Sequence, residues 1–251
     1  MQIIIAPTKK MIVNTNDFDT QGSPIYIEET RQILKEMRKL DYEKAKAMWH
    51  CSDKLARPNY DWLQKMDLNA QLTPAILSYT GIQYQYMAPD LFTAPALAYV
   101  QSNLRILSGF YGILRPFDGV VPYRLEMQSA IRVAGAKNLY DFWGDRLYRA
   151  LHFDQGPVLN LASQEYAKTI TPYMQPHDWL VSVVFGSEVD GKLKTKATLA
   201  KMARGEMVRY LAENDIHDIK SVTRFDHPDW HFDADRSTDN KLVFVNNERQ
   251  H

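Results

Sequence analysis

Four short runs of β-branched and aliphatic residues limit what this chain can fold into more than any other feature. "QIIIA" stands at 2–6, "PVLNLAS" at 157–163, "WLVSVVFG" at 179–186 and "KLVFVN" at 241–246. Each has the length of a strand and is bounded by Pro, Gly or polar residues. The stretches between them carry helical spacing, but strand and helix do not alternate strictly. The pattern therefore predicts an α/β mixed (α+β-like) fold, a mixed β-sheet wrapped by helices, and not a doubly wound parallel sheet.

The helical segments can be placed with some detail. Ile33, Leu34, Met37 and Leu40 recur at helical spacing from Glu28 onward, and Asp41 is positioned to cap a second helix carrying Ala45, Met48 and Trp49. "CSDKLA" offers Ser52 or Asp53 as a further cap. A helix is expected over Ala94 to Leu107, and another in "NLYDFWGDRLYRAL", with Asn138 as its cap and Trp143, Leu147 and Leu151 on one face. Asp190-Gly191 reads as a turn before a long amphipathic segment. "VVPYRLEM" reads as extended. The least regular segments are 13–25 and 224–240, and no repeat, low-complexity tract or linker divides residues 1–251, so one domain is expected.

Composition narrows the function classes. The chain has 251 residues, 45% of them hydrophobic, enough for one sizeable core. Thirty Lys and Arg balance thirty Asp and Glu, so any anionic partner must be met by a local patch. Cys51 has no second cysteine to pair with, the opening "MQIIIAPTKK" lacks the form of a secretion signal, and no apolar run approaches bilayer length. A cytoplasmic protein with no membrane partner is expected.

"LSGFYGILRPFD" at 107–118 places two glycines three residues apart in an apolar run, where each costs about 1 kcal/mol of helix propensity. After a helix ending at Leu107, Gly109 would close its C-terminus and Gly112 would turn the chain again. A hairpin of this kind also bares backbone N–H groups, and with Ser108, Tyr111 and Arg115 beside them it has the logic of a helix-hairpin-helix element holding a DNA phosphate. Both readings stand on spacing alone: a capped turn that packs the next element, or an anion nest.

Other constellations carry the same choice. Lys192, Lys194, Lys196, Lys201, Arg204 and Arg209 form the densest basic run, opposed only by Glu206. On a helix from Ala197, Leu199, Ala203, Met207, Tyr210 and Leu211 share one face while Lys201 and Arg204 project from the other, as a solvated surface or as phosphate contacts. In "YRLEM", Arg124 and Glu126 point to one side of an extended segment. They form a structural ion pair, or a site where Arg124 holds an anion and Glu126 acts as acid or base. Asn160, Ser163 and Glu165 lie where a strand passes into a helix, a common place for polar site residues, although Ser163 is equally a cap. "DHPDWHFDAD" invites a metal reading through His227 and His231, but Pro228 breaks the helix that would align them. No metal and no cofactor are expected.

"LRILSGFYGILRPFDGVVPYRLEM", "NLYDFWGD", "VLNLASQEYAK" and "KMARGEMVRYL", in this order and together with "IIIAPTKK", "SDKLA" and "KLVF", resemble the bacterial YaaA family of peroxide-stress proteins over nearly the whole chain. The resemblance implies a single-domain mixed α/β fold with a basic cleft and a helix-hairpin-helix element, in a cytoplasmic DNA-binding protein of the oxidative stress response. It carries the family's basic positions onto Lys9, Lys54, Lys201, Arg204 and Arg209, its hairpin onto Ser108 through Gly112, and its "YRLEM" onto Tyr123 through Met127. Ala6 stands where the family commonly has a serine hydroxyl, and a typical glycine-tyrosine is replaced around Trp230. The expected partner is DNA, bound through its backbone without sequence preference. A rival reading is an enzyme acting on a nucleotide or base in the same cleft, by chemistry such as N-glycosidic cleavage, with Glu126, Arg124 and Lys9 as candidate catalytic groups. A weaker one, from the stress association alone, is iron handling.

Overall fold

The first apolar run becomes the middle of the sheet. In the computed structural model, which describes residues 1–14 and 18–247, β1 is Gln2–Ile5, and Ile3, Ile4 and Ile5 are fully buried. A strand paired on both edges and covered on both faces has no solvent side, so its sequence does not alternate. The chain continues through α1 (Ile27–Arg38), α2 (Tyr42–Trp49), α3 (Asp53–Lys65), β2 (Thr73–Pro74), α4 (Ala75–Ser78), α5 (Ile82–Met87) and α6 (Ala94–Asn103). Then come β3 (Leu104–Ser108), β4 (Gly112–Leu114), β5 (Gly119–Val120), α7 (Leu139–Trp143), α8 (Arg146–Arg149), β6 (Val158–Asn160) and α9 (Gln164–Ala167). The remainder forms β7 (Leu180–Val189), β8 (Lys192–Lys194), α10 (Ala197–Glu213), α11 (Ile219–Val222), β9 (Trp230–Thr238) and β10 (Lys241–Asn246).

Eight strands make one sheet in the order β4-β3-β1-β6-β7-β10-β9, with β8 paired to β7. The inner five, β3, β1, β6, β7 and β10, run parallel, while β4, β8 and β9 are antiparallel to their neighbours. The mixed sheet read from the sequence is present. From β1 the chain crosses to β3 on one side, and after β4 it returns to β6 on the other. The strand order thus reverses between β1 and β6, which opens a crevice beyond their carboxyl ends.

The local signals explain most helices. In α1, Thr30, Ile33, Leu34 and Met37 face the core, and Glu28, Glu29, Lys35 and Arg38 complement the dipole at its two ends. Asp41 accepts from the Lys44 N–H at 2.9 Å and Asn138 from the Asp141 N–H at 2.9 Å, so both expected caps are present. Ser52 takes the cap position of α3 but makes no side-chain capping bond. The expected Asp190-Gly191 turn joins β7 to β8 with both residues at positive φ.

Two segments depart from the expectation. The helix expected to reach Leu107 stops at Asn103, and 104–108 continue as β3 beside β1, pairing Leu104, Arg105 and Ile106 with Ile3, Ile4 and Ile5. Gly109 therefore does not close a helix. The arms around Ser108–Gly112 are β3 and β4, hydrogen-bonded in antiparallel register, so this segment is a β-hairpin and not a helix-hairpin-helix element. The irregular stretch expected at 224–240 contains the nine-residue β9. Of the other, 13–25, residues 15–17 lie outside the described residues.

Candidate functional site

A cavity of about 480 Å³ lies at the reversal point between β1 and β6, within the roughly 300–1,000 Å³ usual for ligand sites. Three strand-end segments and two helices wall it. The loop after β1 contributes Lys9 and Lys10, the extended stretch after β5 contributes Tyr123, Arg124 and Glu126, and the turn after β6 contributes Ser163 and Glu165. From the far side α5 presents Gln83, and α10 presents Lys201 and Arg204.

The helix pair is set by one close contact. A Cβ on Gly205 would stand 2.1 Å from the Gln83 carbonyl oxygen, so α10 can approach α5 this nearly only where it lacks a side chain. That approach puts Arg204 beside Gln83. Gly109 plays a matching part across the site. Its missing Cβ would lie 3.0 Å from the Glu126 carbonyl carbon and the Met127 nitrogen, so the β3–β4 turn packs directly under the backbone that holds Glu126. The Glu126 N–H donates to Ser129 Oγ at 3.1 Å, and the Gln128 N–H donates to Glu165 Oε1 at 3.3 Å.

The walls are rich in donors. Lys9 Nζ pairs with Glu126 Oε1 at 2.8 Å, with the lysine largely exposed and the carboxylate largely covered. Gln83 Nε2, Arg124 Nε and Arg204 Nε are buried and have no hydrogen-bond partner. Burial lowers the affinity of Arg204 for its proton, although a guanidinium stays charged throughout the physiological range. Burial, followed by the nearby Glu126 charge, raises the Glu165 carboxyl, against the Gln128 N–H and Lys9, which lower it. Tyr123 at the base is pushed up to about 12 by burial, and it is held by Ser108 Oγ at 2.7 Å and Tyr79 Oη at 2.9 Å. The site thus offers several N–H donors and five cationic side chains against two carboxylates. It suits an anion with many acceptor atoms.

Of the residues singled out in the sequence, Lys9, Arg124, Glu126, Ser163, Glu165, Lys201 and Arg204 converge here, while Asn160 does not line the cavity. Arg124 does not pair with Glu126, whose partner is Lys9. Arg204 is not on an open helix face as expected: its Nε is buried against α5, because α10 is covered on that side also. Lys54 is exposed on α3, and Arg209 is tied to Glu213 at 2.8 Å; neither lines the cavity. Arg115 lines a different pocket. Ser108, Gly109, Tyr111 and Gly112 are buried. Ser108 Oγ already accepts the Phe110 and Tyr111 N–H groups at 3.2 and 2.9 Å, and Tyr111 Oη accepts the Val121 N–H at 3.0 Å. Donors spent in this way form no nest for a phosphate.

Gln83 and Lys10 were missed. A glutamine in "IQYQYM" carries no signal of its own, and only the packing of α10 makes it part of a site. Among the described residues, no group of three or more His, Cys, Asp or Glu side chains is placed to hold a metal ion, and no helix is long and apolar enough to cross a membrane.

Comparison with known proteins gives a consistent result. The model of the family described as "Peroxide stress protein YaaA" matches residues 1–236. A UPF0246 protein of Lactiplantibacillus plantarum is 64% identical over 245 residues, which cover 98% of this chain and 99% of that protein. Similar proteins from Pediococcus pentosaceus and Agathobacter rectalis are 53% and 48% identical over 248 and 244 residues, covering 99% and 97% of this chain and 99% and 98% of theirs.

Proposed function

The chain belongs to the YaaA family of peroxide stress proteins, and on that premise we propose that it serves the stress response by binding DNA, with a phosphate and its nucleoside seated in the cavity between β1 and β6. The observation that carries this reading is the convergence of three unpartnered buried donors, Gln83 Nε2, Arg124 Nε and Arg204 Nε, on one cavity edged by Lys9, Lys10 and Lys201. A buried donor without a partner costs about 1–3 kcal/mol, and phosphate and sugar oxygens supply acceptors that offset it. Contacts of this type do not read a base sequence.

The test is fluorescence anisotropy with labelled single-stranded and duplex oligonucleotides of two unrelated sequences, on the wild type and on Arg204→Met. Equal affinity for both sequences is expected, with a loss of about tenfold or more in the variant. A folded Arg204→Met protein with undiminished DNA affinity overturns the assignment.

A second reading is favoured by one observation. Glu165, whose carboxyl burial raises, and Glu126, which is paired to Lys9, face the same cavity, an arrangement that places one carboxyl group to give a proton and the other to accept one. In this reading the seated nucleotide loses its base by hydrolysis of the N-glycosidic bond. Water gives a proton to Glu126 as its oxygen bonds to the sugar carbon, and the C–N bond breaks with its electron pair going to the base, which takes the Glu165 proton. Chromatography of incubated DNA for released free base decides it: release that is abolished in Glu165→Gln supports an enzyme, and its absence leaves binding alone.

A further inference from the structure

A second pocket, of about 410 Å³, is built from different elements, and the proposed DNA site makes no use of it. It lies where β3 and β4 meet the end of α8, and Arg105, Arg115, Arg149 and His152 line it together with Ile25, Tyr26, Ile113, Leu114 and Asp118. Arg105 is largely buried in the middle of β3, opposite Ile4 of β1. A cation in that position normally has a carboxylate partner. Among the described residues neither Arg105 nor Arg115 is in an ion pair, and Arg105 Nη1 donates only to the carbonyl of Leu104, at 2.7 Å. Among the described residues that line the pocket, Asp118 is the one carboxylate. Its Oδ2 is taken by the Arg115 N–H at 2.8 Å, so the turn itself spends much of its charge. Arg149 reaches in from α8, where it also contacts Asp145 at 3.0 Å.

We propose that this pocket is a second anion site, which binds the phosphoryl group of a small organic phosphate between Arg105, Arg115 and Arg149, with the apolar body of the molecule against Ile25, Ile113 and Leu114. Three guanidinium groups against two engaged carboxylates, Asp118 and the Asp145 partner of Arg149, leave the pocket net positive, and planar multi-donor groups suit a tetrahedral dianion better than a single carboxylate. One feature supports the electrostatic sign. Burial and then the neighbouring Arg115 weaken the hold of Arg105 on its proton, and Asp118 offsets them only in part. The apolar wall gives the ligand a second contact that a bare ion does not use. Inorganic phosphate is therefore the weaker occupant and phenyl phosphate the stronger.

Isothermal titration of the full chain with inorganic phosphate and with phenyl phosphate tests this. Saturable binding is expected, tighter for phenyl phosphate, and weakened about tenfold or more in Arg105→Gln and in Arg115→Gln but not in Arg204→Met. Arg115 is exposed, so its variant folds and keeps the test valid even where Arg105→Gln destabilises the sheet. Loss of binding in Arg204→Met with none in the other two overturns the proposal, because the phosphate then occupies the first cavity. Absence of saturable binding overturns it as well. Repeating the DNA titration with Arg115→Gln identifies the natural source of the phosphoryl group. Unchanged DNA affinity upholds a small molecule at a separate site, and a parallel loss overturns that choice in favour of the DNA backbone.

Discussion

At the scale of single residues, the two glycines of "LSGFYG" do different work. Gly112 has φ of 76°, and a Cβ there would meet the Trp143 ring at 2.8 Å, so Gly112→Val is expected to cost stability, by more than about 2 kcal/mol, and to leave a folded remainder that still binds. Gly109 has no positive φ, and what it lacks is room above the Glu126–Met127 backbone. Gly109→Ala is therefore expected to displace Glu126 and to weaken DNA binding in a protein that melts only a few degrees lower. Melting temperature and DNA affinity measured on both variants separate the two roles. Arg204 gives the opposite trade. Its buried Nε has no partner, so Arg204→Met is expected to hold or raise the urea midpoint while DNA affinity falls. Asp118 adds a pH effect. Burial, partly opposed by the Arg115 N–H and by Arg115 and Arg105, pushes its carboxyl up to about 6, above the ordinary value of 3.8. The folded state thus binds this proton more tightly than the unfolded chain. Stability contributed by the neutral form is present below about pH 4 and is lost as pH rises to about 6, on the order of 3 kcal/mol in all. Wild type minus Asp118→Asn in urea denaturation at pH 4.5 and pH 7 isolates that difference.

At the scale of elements, the site depends on how closely α10 packs on α5. Gly205→Ala would drive a methyl into the Gln83 carbonyl, and overpacking of this kind costs about 1–3 kcal/mol. It should also move Gln83 and Arg204 together, so DNA affinity is expected to fall further than in Gln83→Leu alone. Unchanged affinity in a destabilised Gly205→Ala protein would separate the helix pair from the site. The elements readable in the sequence are those whose burial leaves a plain pattern. β1, β6 and β10 are largely covered on both faces and read as apolar runs, as do residues 180–185 of β7 around Ser182, and the spacing from Ala197 reads as the helix α10. β3 was not readable, because "AYVQSNLRILS" keeps an apolar spacing across the change from helix to strand, and short apolar runs fit either period. β9 escaped for the opposite reason: "WHFDADRST" is a partly exposed edge strand with many polar residues and no buried face to impose alternation. The site divides in the same way. Arg124 and Glu126 stand two apart in one segment, so their nearness was legible, whereas the approach of Lys9, Gln83 and Arg204 is a property of the sheet order and of one glycine in α10.

At the scale of the whole molecule, zero formal net charge is the governing fact. Such a protein has no long-range field to steer it onto DNA, so association is expected to be of ordinary speed and little accelerated at low salt. All electrostatic affinity must then come from the cations around the cavity, and this fixes its salt dependence. Each phosphate neutralised contributes roughly −0.9 to the slope of log affinity against log salt. Lys9, Lys10, Arg124, Lys201 and Arg204 set the upper limit, and Lys9 is already engaged by Glu126. A slope of roughly −3 to −4 is therefore expected for duplex DNA at neutral pH, measured by anisotropy over a potassium chloride series. A slope near zero would mean that base or sugar contacts dominate and that the cations serve some other ligand. A slope steeper than roughly −5 would require phosphates beyond the reach of this cavity. The arginines of the β3–β4 pocket are the next cations available to meet them, and Arg115→Gln would then flatten the slope by about one unit.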